Sequence, residues 1–138
     1  MRPGLLPLAL VAFLSGCVEP AAAVQPIPFN HRIHGENDLE CGDCHEGIER
    51  GGPAGLPGVD VCMDCHEADV TENPSALPSI ELVRRHAAEG TPIPWVRLYV
   101  LPGHVFFSHR WHVGPGDVGC TQCHGDIGSS AAPAGRAI

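Results

Sequence analysis

Apolar residues recur at helical spacing in one stretch of the chain, SIELVRRHAAE (79–89), where Ile80, Val83 and Ala87 share a face. Pro78 and Ser79 supply a start signal and Gly90 a stop, so a short helix is predicted there. Trp95 to Val100 alternates apolar and polar positions as a strand does. Leu101-Pro102-Gly103 would turn it back into His104 to Phe107, which predicts one β-hairpin. The rest lacks periodicity. Glu46 to Val61 is rich in Gly and Pro and reads as a loop, 67–78 continues in the same manner, and DIGSSAAPAGRAI after Gly125 has nothing to pack. Residues 126–138 are therefore expected to be a flexible tail.

Composition sharpens this picture. With 17 Gly, 14 Pro and 5% aromatic residues in 138, the side chains alone cannot build much of a core, so something else must supply it. The candidate is written three times: Cys41-Gly42-Asp43-Cys44-His45, Cys62-Met63-Asp64-Cys65-His66 and Cys120-Thr121-Gln122-Cys123-His124. Cys-x-x-Cys-His is the spacing of c-type haem attachment, in which two thiols form thioethers to the porphyrin and the next histidine ligates iron. Zinc knuckles or disulfides also use Cys-x-x-Cys. Neither requires a histidine immediately after all three pairs, in a chain with 9 His. Six of the seven cysteines fall in the motifs and only Cys17 is left over, so no pair remains for a disulfide. Three haems c are the predicted cofactors and the predicted core.

A low-spin haem needs a sixth ligand opposite its motif histidine. Phe29-Asn30-His31-Arg32-Ile33-His34 precedes the first motif and Phe107-Ser108-His109-Arg110-Trp111-His112 the third, an internal repeat offset by 78 residues. Two histidines three apart on one turn can reach toward two different irons. The chain has no lysine, Met1 is lost with the leader, and Met63 lies between its own thioether cysteines, which leaves histidines. His86, beside Arg84 and Arg85 near a helix C-terminus, suits capping, and His104 belongs to a turn. His31 and His109 are therefore assigned to the motif that follows each. The middle motif has no hexapeptide of its own and borrows His34 or His112.

The N-terminus changes the compartment. Arg2, an apolar run from Leu5 to Leu14 and Leu14-Ser15-Gly16-Cys17 form a signal peptide over 1–16, its apolar part too short to span a bilayer. The cysteine at the cut resembles a bacterial lipobox, so Cys17 is the expected lipidation site, followed by a Pro-rich tether over 17–28 that could reach about 40 Å. The triheme domain would then span 29–125. An ordinary signal peptide cut nearby would export the chain equally, to the periplasm or cell surface.

Without Arg2 the chain keeps seven arginines against 16 acids, which makes nucleic acid an implausible partner. Eleven acids lie between Glu36 and Glu72, whereas Arg84, Arg85, Arg97 and Arg110 follow later. The first two haems are thus expected in a negative field, facing a basic redox partner, with the third on a more positive side.

These residues resemble the small class III multihaem cytochromes c, in which F-x-H-x-x-H before the first motif supplies distal ligands to two haems. They are still more similar to the haem domains of the multihaem cytochrome subunit of alternative complex III, which carries more haems than three. PIPFNHRIH (26–34), CGDCHEGIERGGPAGLPGVDVCMDCHE (41–67), PIPWVRLYVLPGHVFFSHRWHV (92–113) and CTQCHG (120–125) carry the likeness. The resemblance implies a small, mostly irregular fold with few short helices around three covalently bound haems. It also implies bis-histidine low-spin irons and periplasmic respiratory electron transfer, with a quinol-oxidising or reductase complex as partner. With every iron so ligated there is no place for a small-molecule substrate, and the chain is expected to be a carrier rather than an enzyme. The competing readings are a haem enzyme or gas sensor with one five-coordinate iron, and a haem-bearing structural subunit of a larger complex.

Overall fold

The computed structural model describes residues 21–68 and 73–137. The expected signal peptide and lipidated Cys17 lie outside the described residues. Among the described residues six short helices follow one another: α1 (His31–Glu36), α2 (Cys41–Cys44), α3 (Val59–His66), α4 (Leu77–Glu89), α5 (His109–Val113) and α6 (Thr121–His124). A 3₁₀ turn, Ile127–Ser129, comes last. The rest is irregular, as so many turn-forming residues dictate. Among the described residues no helix is long and apolar enough to cross a membrane.

The longest helix, α4, is the one its periodicity predicts, begun two residues earlier at Leu77. Pro78 occupies the first turn, where a missing N–H leaves no bond unmade. Gly90 ends it in the left-handed conformation, φ 64°, which glycine adopts without a Cβ clash. Ile80 and Val83 on its inner face are buried. α4 packs along α3, and Ile27, Val83 and Ile93 form the buried cluster between them with Val59, Cys62, Met63, Leu82 and Trp95 around it. The α3 helix is not apparent in the sequence, because the Gly and Pro of 51–58 mask a helix that starts just after them.

Three expectations are corrected. No β-hairpin forms among the described residues: Pro92, Pro94 and Pro102 lack the N–H that a ladder needs. The Gln25 side chain instead pairs with Val96 as a strand would, its Oε1 accepting from Val96 N–H (3.0 Å) and its Nε2 donating to Val96 O (3.0 Å). The second correction follows from this bond, since residues 23–28 are part of the domain rather than of a tether. Ile27 is buried in the core and Ala23 N–H donates to Gly135 O (2.7 Å). Third, the stretch after Gly125 does have something to pack. The Ile127–Ser129 turn lies against α1, Arg32 N–H donates to Ser130 O (3.0 Å), and Gln25 Nε2 donates to Ala134 O (3.2 Å).

Candidate functional site

Each motif is wound into a single helical turn, and the first and third are built alike. Glu40 N–H donates to Asp43 Oδ2 (2.7 Å), and Gly119 N–H to Gln122 Oε1 (3.0 Å), so the third residue of each motif caps its own turn. His45 N–H and His124 N–H then each reach back to the first cysteine's carbonyl at 2.9 Å. The second motif instead forms the C-terminal part of α3. There Arg84 of α4 donates to the carbonyls of His66 and Ala68, both at 2.9 Å, and fastens that end.

The two hexapeptides are duplicates in three dimensions. Phe29 meets the edge of His31 (4.8 Å, ring planes 83° apart) and stacks on His34 (4.3 Å, 22°). Phe107 does the same with His109 (4.9 Å, 89°) and His112 (4.3 Å, 28°). In both copies the second histidine's Nδ1 contacts the carbonyl four residues back, at 2.8 Å in each. A carbonyl only accepts, so Nδ1 carries the proton and Nε2 keeps a free lone pair, the state in which imidazole binds a metal. The likeness runs on into the turn toward the motif. Asp38 (φ 63°) and Asp117 (φ 49°) are the two non-glycine residues with positive φ among those described, a conformation Asp tolerates better than most. The next residue in each copy, Leu39 or Val118, donates N–H to the carbonyl of His34 or His112 (3.2 and 2.9 Å). One inserted residue between His112 and Asp117 shifts the register from 78 to 79 and hides this longer match in the sequence.

Two motif histidines face a histidine from a hexapeptide at one characteristic spacing. His34 and His66 have ring centres 6.1 Å apart, and His109 and His124 6.2 Å. Two imidazoles sharing one iron stand about 6 Å apart, from two iron–nitrogen bonds of about 2 Å and about 1 Å from each nitrogen to its ring centre. Both pairs fit that bridge. His31 has no such ring partner; burial lowers its pKa most, and the charges of His45 and then His34 lower it further. His45 is itself aimed by its Nδ1 contact with Gly55 O (2.8 Å). His66 and His109 are also held toward the neutral form, first by burial, then by His34 and Arg84 at His66 and by His124, His112 and His45 at His109. Nδ1 of His31 and of His66 is buried without a hydrogen-bond partner. His112, by contrast, is exposed and has no second histidine ring against it.

The six described cysteines are unbridged thiols. Burial is the first cause of the raised pKa of Cys41, Cys44 and Cys62, and the lesser causes reveal neighbours: Cys120 at Cys41, Cys65 at Cys44 after Asp43, and Cys44 at Cys62. The first motif therefore lies beside both others. Among the described residues no group of three or more His, Cys, Asp or Glu side chains is arranged around a common metal position. The arginines are less one-sided than their sequence positions suggest. Arg84 sits at the end of the second motif, and Arg110 lies against the first-motif loop, its Cδ 3.6 Å from where a Cβ of Gly51 would stand.

His86 occupies the last turn of α4 with Nδ1 2.9 Å from Thr91 Oγ1, and His104 is exposed in a turn. Tyr99, which periodicity did not single out, meets the edge of His124 at 4.9 Å. No known family model matches the chain, and no curated protein does.

Proposed function

We propose that this chain is a periplasmic, membrane-anchored triheme c-type cytochrome that carries electrons between respiratory redox partners. The observation that carries this reading is the pairing of motif histidines with hexapeptide histidines at 6.1 and 6.2 Å, a spacing that suits an iron between two imidazoles. Cys41 and Cys44, Cys62 and Cys65, and Cys120 and Cys123 would hold the three porphyrins. His45, His66 and His124 would bind one side of each iron, and His31, His34 and His109 the other. Bound haem supplies one-electron redox chemistry, tuned by its axial ligands and surroundings. The chain's own work is to orient: Phe29 and Phe107 brace the distal rings, the Asn30 and Gly55 carbonyls fix the proton on Nδ1 of His34 and His45, and burial, then neighbouring charges, push His31, His66 and His109 toward the neutral form. Protein nitrogen on both sides leaves no coordination position for a substrate, which supports a carrier over an enzyme. Among the described residues the buried apolar side chains are Ile27, Ile80, Val83 and Ile93, which supports haem as the larger part of the core.

The test is the purified holoprotein. Three haems per chain, a wholly low-spin spectrum and no spectral change when the reduced protein meets carbon monoxide are expected. One equivalent of carbon monoxide bound would replace the carrier with an enzyme or sensor. Cys17→Ser should release haem-loaded protein from membranes, and retention at high salt would mean that a protein partner, not a lipid, holds it. A basic redox partner is expected at the first two motifs, so neutralising Asp43, Glu46, Asp64 and Glu67 together should slow exchange at low salt without altering the spectrum.

A further inference from the structure

The arginines among the described residues are exposed with one exception, Arg84 of α4. Its side chain is 23% exposed and makes three contacts of 2.9 Å: Nε donates to His66 O, Nη2 to Ala68 O and Nη1 to Glu81 Oε1. Serving two carbonyls and a carboxylate at once takes the planar fork of a guanidinium, which an ammonium cannot reproduce from the same place. The cation therefore has a fixed position at the residue that carries a motif histidine, where water screens it less than it screens a surface charge. The described acids on and just after α3, Asp60, Asp64 and Glu67, are exposed, and Glu81 is 62% exposed, so they offset it only in part. Arg50 in the first-motif loop and Arg110 against that loop are exposed too, and their fields are weakened accordingly.

We infer that Arg84 is a positioning residue that makes the second motif's site the most easily reduced of the three, so that an electron taken up by the chain comes to rest beside His66. This deepens the proposed triheme reading and rests on it. Reduction removes one unit of positive charge from an iron, so a fixed cation nearby favours the reduced state. On the proposed assignment the Nδ1 contacts do not separate the first two sites, since His45 and His34 each have a carbonyl there and His31 and His66 have none. The charge of Arg84 does. In the step itself the reduced redox partner loses one electron and the site gains it; no bond forms or breaks and no proton moves. The ring planes give the site a spectroscopic label. Those of His34 and His66 are 68° apart, whereas those of His109 and His124 are 17° apart. Nearly parallel imidazoles split the iron d orbitals that they overlap and produce a rhombic ferric spectrum with three resolved g values. Crossed imidazoles leave those orbitals close in energy and produce one feature at low field.

The experiment is a redox titration of the holoprotein followed by electron paramagnetic resonance, with His34→Ala identifying the second site by the low-field feature that it abolishes. In the wild-type protein that feature should vanish first as the potential is lowered. Arg84→Gln should make the site about tenfold harder to reduce, which is about 59 mV for one electron, and leave the potential of the rhombic signal in place. Arg84→Lys keeps the charge without the fork and should fall between the two. Glu81→Gln, which spares both carbonyl bonds, should shift the site the opposite way, and its sign decides the matter if Arg84→Gln fails to take up three haems. A low-field feature that vanishes after the rhombic one overturns the inference and leaves the carrier reading standing. So does a shift shared equally by all three sites, as a merely structural role would give, or no shift in either charge variant. Fewer than three low-spin haems in the wild-type protein is failure of the carrier reading, and the inference falls with it.

Discussion

The two hexapeptide units agree in almost every local measure and differ in what the second histidine meets. In the first, α1 is packed against the Ile127–Ser129 turn, Asn30 caps it through its side chain, and His34 faces His66. In the second, α5 has no side-chain cap, Trp111 is largely exposed, and His112 points to no other histidine. A phenylalanine between two histidines is therefore enough to orient both rings, since every contact spans at most five residues. Setting a second histidine opposite such a ring is a separate matter, which depends on an element brought from elsewhere in the chain.

The sharpest way to break this comparison is the pair His34→Ala and His112→Ala. On the triheme reading His34→Ala should turn one of three haems high-spin, with no lysine or free methionine to replace it, and His112→Ala should leave all three low-spin; equal spectra from the two variants would show that the units are not used differently. His31→Ala and His109→Ala, which occupy the same slot in both units, should each turn one haem high-spin. Next in size is the turn below the second histidine. Gly116→Ala sets a Cβ 2.6 Å from His112 O and 2.9 Å from Trp111 O, so it should cost about 2 kcal/mol in a denaturant titration. Gly35→Ala, whose nearest neighbour would be Gly128 O at 4.0 Å, should change stability by less than about 1 kcal/mol. The smallest contrast is at the caps. Asn30→Ala loses the bond from Ile33 N–H (3.2 Å) and should cost about 1 kcal/mol, against under about 0.5 kcal/mol for Ser108→Ala. A Ser108 effect as large as that of Asn30 would mean that the serine caps α5 after all.

Much of the candidate site is readable in the sequence because its chemistry is local. The Cys-x-x-Cys-His turns, the helix ended by Gly90 and the paired hexapeptides all follow from neighbours within one or two turns. The Asp38 and Asp117 turns and the Asp43 and Gln122 caps are local too, yet a single inserted residue concealed them. What misled was local pattern and composition taken as a guide to packing. Val96 looked like part of a hairpin, but its backbone is satisfied by one glutamine side chain 71 residues away. Ile27 looked like tether and is core, because a chain with so few buried side chains recruits apolar residues from wherever they lie.

By itself, then, the sequence determined the three Cys-x-x-Cys-His turns and the posture of each hexapeptide histidine, since these depend on bonds and contacts between near neighbours. Only the tertiary structure decided that His34 rather than His112 stands opposite His66, that the first motif lies beside both others, and that Arg84 fastens the second. Those are meetings between residues tens of positions apart, and no local propensity encodes them; they are set by the packing of α3 on α4 and of α1 on the Ile127–Ser129 turn.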